Sequence, residues 1–166
     1  MATTATPYGL KAVNHIGGTP YAGSTRLLPI ASGYASNIFN GSIVSIVAAG
    51  TVEMVTVTGN GGGGAAASFP AGTIGVFVGC TYSDPVTGNL TFNQYWPSGT
   101  VAADAQAYII DDPDVVFMAQ ANGAVTQADL GQNTNFAAVQ STTTGDTTNG
   151  NSNSAVSSTT ATTATI

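Results

Sequence analysis

No long stretch of this chain carries the spacing of an amphipathic helix. No window of eleven or more residues has apolar residues about 3.6 positions apart together with helix-capping residues at its ends. The chain has instead short runs rich in β-branched residues, such as "SIVSIVAAG" (42–50) and "TIGVFVGCTY" (73–82). Turns rich in Gly, Pro, Asn and Asp separate these runs. This pattern predicts an all-β fold, either a compact β-sandwich or a small β-barrel.

Three regions follow from composition along the 166 residues. Residues 1–30 are rich in Gly and Pro, and we expect an extended N-terminal arm with strand-like pieces "LKAVNHI" (10–16) and "TRLLPI" (25–30). Residues 31–140 hold the β-like runs and form the predicted β domain. Residues 141–166 are nearly all Thr, Ser, Asn, Gly and Ala, which indicates a loop or a disordered tail.

Turn signals within the β domain predict particular connections. The turn "DPVTGN" (84–89) predicts a hairpin between the runs on either side of it. The runs "AQAYIID" (105–111) and "VVFMAQA" (115–121) are predicted to form a second strand pair. The segment "ADLGQNTNFAAV" (128–139) predicts a short helical turn or a last core strand, and "SSTTATTATI" (157–166) could begin a strand because Thr favours β structure.

The glycine-rich segment "GNGGGGAAASFPAG" (59–72) is predicted to be a flexible loop. A phosphate-binding P-loop needs a Lys followed by Ser or Thr after its last Gly. Three alanines stand there instead, and no lysine lies within reach.

Charge excludes several classes of function. Charged residues make up 6% of the chain, about a quarter of the usual share, and Lys11 and Arg26 are its only basic residues against eight acidic ones. Nucleic-acid binding requires clustered Lys and Arg, so we exclude a nucleic-acid partner. A basic membrane-surface helix is excluded for the same reason, and the apolar runs are too short to span a bilayer. The first residues lack the basic start and apolar block of a signal peptide.

The sequence "DDPD" gathers three of the eight carboxylates, Asp111, Asp112 and Asp114, between two apolar runs. In a turn, Asp112 would bond the backbone ahead of it, Pro113 would fix its own φ, and Asp114 would tolerate the third position. A weak cation site, or a pair of catalytic carboxylates, is the alternative interpretation. A calcium loop would add Asp or Asn at alternate positions, a Gly and a later Glu, none of which follows. The pattern favours the turn.

Other reactive side chains are few. His15 lies in the arm without a neighbouring triad pattern, and Cys80 lies in an apolar run typical of a buried thiol. One His and one Cys cannot form a zinc site within one chain. We therefore expect no enzyme activity and no cofactor.

The stretch "NQYWPSG" (93–99) places Tyr95 beside Trp96, the only tryptophan. Such a pair forms a core-edge cluster, anchors a subunit interface or stacks on a sugar. All three interpretations are open at this stage.

The run "GVFVGCTYSDPVTGNLTFNQYWPSGTVAADAQAYIIDDPDVVFMAQANG" (75–123) and the piece "LPIASGYASNIFNGSIVSI" (28–46) carry a family resemblance. They resemble the capsid-associated structural proteins of tailed phages, the decoration or cement class. The matching features are the Gly-Val-Phe-Val-Gly-Cys strand, the Tyr-Trp-Pro turn and the Ala-Tyr-Ile-Ile-Asp-Asp-Pro strand and turn. The resemblance implies a non-enzymatic β domain with terminal arms that clamps neighbouring major capsid subunits from outside.

These observations lead to one expected function and one alternative. We expect a viral structural protein at the capsid surface, with the major capsid protein as its partner and a tendency to form homo-oligomers. The alternative is an extracellular carbohydrate-binding or adhesin-like β module. The residues predicted to make capsid or self contacts are Tyr8, Leu10, Ile16, Tyr21, Leu27, Leu28, Tyr95 and Trp96.

Overall fold

The structure, a computed structural model, describes residues 6–55, 69–136 and 145–161. Within these ranges it has ten β-strands and a 3₁₀-helix, and no α-helix, so the all-β prediction is confirmed. The strands are β1 (Lys11–His15), β2 (Arg26–Pro29), β3 (Ile43–Ile46), β4 (Val52–Met54), β5 (Thr73–Ser83), β6 (Leu90–Asn93), β7 (Gln106–Ile110), β8 (Val115–Met118), β9 (Asn133–Phe136) and β10 (Val156–Ala161). The 3₁₀-helix spans Gln127–Asp129.

The main sheet is antiparallel and is built around β5, its longest strand. Its order is β2-β7-β5-β3-β4, and β6 also pairs with β5. The first half of β5 pairs with β3 and its second half with β6, while β7 pairs along the opposite edge. The register to β7 shifts between Phe77 and Gly79, which marks a bulge in β5.

The main sheet curls around a core on its inner face. An isolated parallel bridge joins Ile30, which follows β2, to Val52 of β4, and so brings the two ends of the strand order together. Among the described residues the sheet does not close into a barrel. Trp96 lies in this core with 0% of its surface exposed, and its ring meets Tyr82 edge-on at 5.4 Å between centroids. The other fully buried side chains of the core include Ile38, Val44, Val52, Phe77, Cys80 and Ile109.

A second layer covers part of the outer face of the main sheet. It consists of the pairs β1–β8 and β10–β9, which a parallel bridge between Ala121 and Val156 connects. A separate apolar cluster joins the layers, in which Ile43 of β3 meets Phe136 of β9. Residues alternate between the two clusters along a strand, so Ile43 faces the second layer and Val44 faces the inner core.

The hairpin predicted at "DPVTGN" is confirmed. Strands β5 and β6 pair across it, and Asp84 Oδ1 accepts a hydrogen bond from the Val86 N–H at 2.7 Å. Gly88 has a φ of +72°, which a residue with a side chain rarely adopts. The turn residues therefore do what their types indicated.

The predicted strand pair across the "DDPD" turn is wrong in its pairing. Both runs form strands, β7 and β8, but β7 pairs with β5 and β2 in the main sheet, whereas β8 pairs with β1 in the second layer. The chain changes layers at the turn. The apolar face of each strand is therefore buried against a different cluster.

Both terminal regions contribute strands. The strand-like pieces of residues 1–30 form β1 and β2, which pair with β8 and β7 of the same chain. The C-terminal segment pairs Asn151 with Asn40 and then forms β10, so the strand interpretation holds through Ala161, and residues 162–166 lie outside the described residues. The segment 128–139 contains part of the 3₁₀-helix followed by β9. Most of the glycine-rich loop predicted at 59–72 also lies outside the described residues.

We expect Gly75→Ala to destabilise the protein strongly. A Cβ at Gly75 would lie 2.1 Å from the Ile110 carbonyl oxygen, so β5 and β7 would have to separate. The expected loss is about 3 kcal/mol in the free energy of unfolding. Gly50→Ala is the control, because it meets open space and adds only the cost of a positive φ, about 1 kcal/mol. If urea denaturation shows that the two variants lose the same free energy of unfolding, the close approach of β5 and β7 is contradicted.

Hydrogen bonds of the Asp129 carboxylate connect the 3₁₀-helix to β10, and we expect them to weaken in acid. Its carboxylate accepts hydrogen bonds from the Thr126 N–H at 2.8 Å and from the Thr160 hydroxyl at 2.8 Å. These hydrogen bonds lower the pKa of Asp129, and the bond from the Thr126 backbone N–H has the largest effect. The stabilisation is present above the ordinary carboxyl pKa of about 4 and is lost as the pH falls through the lower pKa of the folded state. In thermal unfolding, acid should lower the melting temperature of Asp129→Asn less than that of the parent. The decrease for Thr160→Val should lie between the two.

Candidate interaction surface

The "DDPD" segment is a turn, as predicted. The Asp112 carbonyl accepts a hydrogen bond from the Val115 N–H at 3.3 Å, and Asp112 Oδ1 accepts one from the Asp114 N–H at 2.9 Å. Pro113 and Asp114 occupy the two central positions. The turn carries the chain from β7 in the main sheet to β8 in the second layer.

The carboxylates of this turn face different partners. Asp111 Oδ2 lies 2.8 Å from Arg26 Nε, and Asp112 Oδ2 lies 3.7 Å from His15 Nδ1. Within residues 6–55, 69–136 and 145–161, no group of three or more His, Cys, Asp or Glu side chains is placed to hold a metal ion. The Asp111–Arg26 ion pair thus fastens β2 to the turn, and the His15 ring of β1 lies beside Asp112.

Cys80 and His15 have local structural contacts. Cys80 is fully buried, and its Sγ lies 3.6 Å from the Tyr95 carbonyl oxygen. Burial raises the pKa of the Cys80 thiol to about 12, so the reactive thiolate is disfavoured at neutral pH. His15 is half-buried, with its ring 5.8 Å from that of Tyr21.

The predicted contact residues of the arm lie in different environments. Tyr8 is half-buried, with the Lys11 ammonium 4.9 Å from its ring centroid. Ile16 lies in the turn after β1 with 71% of its surface exposed. The Tyr21 hydroxyl donates a hydrogen bond to the Ser24 carbonyl. The pKa of Tyr21 is raised, mainly by burial and to a smaller extent by the negative charge of Asp112.

The two leucines of β2 point to opposite faces of the main sheet. Leu28 packs against the inner core, and Leu27 is exposed on the outer face. The adjacent aromatic residues Tyr95 and Trp96 also differ in exposure. Tyr95 is half-buried and stacks on Phe39 at 5.5 Å between ring centroids. Trp96 is buried, and its indole N–H donates to the Tyr34 carbonyl at 3.4 Å, so its side chain forms no part of the surface.

An apolar groove of about 630 Å³ lies between the two layers. It is lined by Ile43 and Val76 of the main sheet and by Phe117 and Phe136 of the second layer, among others. Leu10, which was predicted to make external contacts, also lines this groove. Its side chain therefore faces the space between the layers.

Part of the outer face of the main sheet carries exposed apolar side chains. Tyr108 pairs with Leu27 on one side and with Gly79 on the other, so these positions share one face. A Cβ at Gly79 would lie 2.9 Å from the Phe92 ring, and that ring meets Tyr108 at 5.7 Å between centroids. Leu90 follows on the same face of β6. We call these four side chains the outer-sheet stripe: Leu27, Leu90, Phe92 and Tyr108.

A second exposed apolar set lies on the second layer. Val116 and Met118 alternate with Phe117, which faces the groove, so they project from the opposite side of β8. Val13 of β1 is exposed, as is Ile16 just beyond that strand. We call Val13, Ile16, Val116 and Met118 the arm patch.

The sequence patterns did not identify most residues of these two surfaces. In "LTFN", apolar residues alternate with polar ones, which is also the pattern of a strand with one face in the core. Only the pairing of the strands shows that Leu90 and Phe92 lie on an uncovered face. The alternation indicates an apolar face but does not identify what covers it.

Comparison with protein-family models, with curated proteins and with solved structures found no match to this chain. The part of the chain that the structure describes contains no helix that is both long and apolar enough to cross a membrane.

We expect added Ca²⁺ to leave the melting temperature unchanged. Of the candidate ligands Asp111, Asp112 and Asp114, the first already contacts Arg26 and the second accepts a hydrogen bond from the Asp114 N–H, and no three of the described carboxylates are grouped to hold a metal ion. Differential scanning fluorimetry with about 100-fold molar excess of CaCl₂ measures this, because a ligand that binds only the folded state raises the melting temperature. MgCl₂ at equal ionic strength is the control. A Ca²⁺-specific increase that Asp112→Asn abolishes would establish the cation site instead.

Proposed function

We propose that this protein is a structural component of a tailed-phage particle that binds the outside of the capsid and holds neighbouring major capsid subunits together. The arm patch carries the proposal, because it presents apolar side chains from β1 and β8 on a chain with only 6% charged residues. Exposed apolar patches on soluble proteins are typical of contacts with other proteins. The resemblance of residues 75–123 to phage decoration proteins supports the same partner class.

The charge pattern suits contact with protein rather than with a charged ligand. The chain has two basic residues, of which Arg26 pairs with Asp111 and Lys11 lies over the Tyr8 ring. Thr, Ser, Asn and Gly dominate the remaining polar surface, and short side chains lose little rotamer entropy when a partner orders them. Binding by such a surface depends on apolar area and close fit.

A capsid also supplies many identical sites, which makes weak contacts sufficient. Two linked contacts on one lattice act at a high effective concentration, so their combined affinity exceeds that of either alone. In this proposal the major capsid protein is the partner, the virion surface is the location, and the role requires no catalysis and no cofactor.

The alternative function, an extracellular carbohydrate-binding or adhesin-like module, draws no specific support from the aromatic side chains. Sugar stacking through Trp96 would need an exposed indole, and this indole is buried. The rings of Phe92 and Tyr108 are exposed or half-buried, but they are inclined at 60° and do not form one flat platform. A glycan array distinguishes the two functions, because only the module would bind sugars.

We expect substitution of the arm patch to lower occupancy on particles of the phage that encodes the chain. Particles purified without this protein are incubated with added protein, and the bound copies are counted by quantitative mass spectrometry. Ile16→Ser should reduce the affinity roughly tenfold to a hundredfold if the contact buries this side chain, since a buried Ile contributes about 1.5–3 kcal/mol. Deletion of residues 1–27 is less informative, because it removes β1 and most contacts of β8.

Val125→Ser is the matched control, because Val125 is 58% exposed and belongs to neither apolar surface. Absence of the parent protein from such particles at any concentration would overturn the proposal. Equal occupancy by Ile16→Ser, Met118→Ser and Val125→Ser would leave the particle assignment in place but exclude the arm patch as the contact.

A further inference from the structure

Asn-Gly pairs in a polypeptide are prone to deamidation, because glycine has no side chain to hinder attack by its backbone nitrogen on the asparagine amide. The chain has four such pairs, which begin at Asn40, Asn60, Asn122 and Asn149. Asn60 lies outside the described residues. The other three pairs lie in different surroundings, and these surroundings determine whether the glycine nitrogen can react.

The glycine nitrogens of two pairs are held in hydrogen bonds. The Gly41 N–H donates to the Phe77 carbonyl at 2.8 Å, and Gly41 is buried. The Gly150 N–H donates to the Asp146 carbonyl at 2.7 Å, and Gly150 is buried as well. The Asn149 side chain is also held, because its Nδ2 donates to Asp146 Oδ2 at 2.8 Å. Attack by either glycine nitrogen therefore requires that a native hydrogen bond break first.

The third pair, Asn122 and Gly123, is exposed and is bonded differently. Within residues 6–55, 69–136 and 145–161, no group accepts a hydrogen bond from the Gly123 N–H. Asn122 Oδ1 accepts a hydrogen bond from the Ser158 N–H at 2.8 Å. That N–H polarises the side-chain amide and stabilises the negative charge that develops on Oδ1 during attack. The attacking nitrogen is thus free, and the amide that it attacks is activated.

We infer that Asn122 is a self-modification site, at which the folded protein deamidates faster than at Asn40 or Asn149. The Gly123 nitrogen loses its proton to a base in solution and forms a bond to Cγ of Asn122. The bond between Cγ and Nδ2 then breaks, Nδ2 takes up a proton and leaves as ammonia, and a succinimide ring remains. Water is the only co-reactant. It opens the ring at one carbonyl to give aspartate or at the other to give isoaspartate.

The inference does not rest on the proposed function, and it concerns the contact that joins the two strand pairs of the second layer. The Asn122 N–H donates to the Val156 carbonyl at 2.9 Å, and the Val156 N–H donates to the Gln120 carbonyl at 2.9 Å. Isoaspartate carries the main chain through its side chain, so it lengthens the backbone just before Gly123. Gly123 lies close to β10, because a Cβ there would be 2.6 Å from the Ser158 hydroxyl oxygen. Isoaspartate should therefore weaken the attachment of β10 more than aspartate does.

Incubation of the full chain at mildly alkaline pH tests the inference, with mass spectrometry of proteolytic peptides to measure each asparagine separately. In the folded protein, Asn122 should deamidate about tenfold faster than Asn40 and Asn149, since reaction at those two sites first costs a hydrogen bond. In urea that unfolds the chain, the three rates should converge, because glycine follows all three asparagines. Equal rates in the folded protein, slower reaction at Asn122, or a difference that persists in urea would overturn the inference.

The products at position 122 test the mechanism. Attack by the Gly123 nitrogen gives both isoaspartate and aspartate, whereas direct hydrolysis of the side-chain amide gives aspartate alone. Aspartate without isoaspartate would therefore overturn the inference. Asn122→Gln is the matched control, because a glutamine must close a larger ring and reacts slowly. The peptide that contains this residue should stay unmodified, with unchanged rates at Asn40 and Asn149.

The effect on β10 is measured separately. The isoaspartyl form, purified by ion exchange from incubated protein, should have a lower melting temperature than Asn122→Asp. Both forms carry the same added charge, so the comparison isolates the lengthened backbone. Equal melting temperatures would overturn the predicted effect on β10.

Discussion

The fold depends on the pairing of β5 with three other strands along its eleven residues. Its alternating side chains serve both faces of the main sheet, since Phe77 enters the inner core and Val76 lines the groove against the second layer. A slip of one residue would exchange these faces and expose both sets. The bulge near Gly79 lies between the half of β5 that pairs with β3 and the half that pairs with β6. At that point the small glycine also makes room for the Phe92 ring on the outer face.

The scarcity of charge determines how this fold can interact. Most soluble domains carry many exposed Lys and Glu side chains, whose charge opposes association between molecules. Here the few charged groups mostly make local contacts within the chain. Arg26 and Asp111 fasten β2 to the turn after β7, and Asp129 fastens the 3₁₀-helix to β10. The charged groups thus make mainly local contacts within the chain, and the proposed function relies on the exposed apolar side chains instead.

Local patterns in the sequence predicted the strands and turns well, because their causes lie within a few residues. The hairpin at 84–89 and the turn at Asp112 need only the geometry of Asp, Pro and Gly. The pairing of strands could not be predicted in the same way, since β1 with β8 and β2 with β7 join residues far apart in the chain. The same limit applies to surfaces. Trp96 and Phe92 both lie in apolar strand-like runs, and only long-range packing buries the first and exposes the second.

The two apolar surfaces lie on different layers, and this separation has a consequence for assembly. The arm patch projects from β1 and β8, and the outer-sheet stripe lies on the main sheet, so contact at one does not use the side chains of the other. In the proposed function, a chain bound to its partner through the arm patch would keep the stripe free for a second contact on the same array. Each contact is then strengthened by the other, because formation of the first holds the second at a high effective concentration. Weak contacts of this kind allow assembly on an array without permanent association in dilute solution.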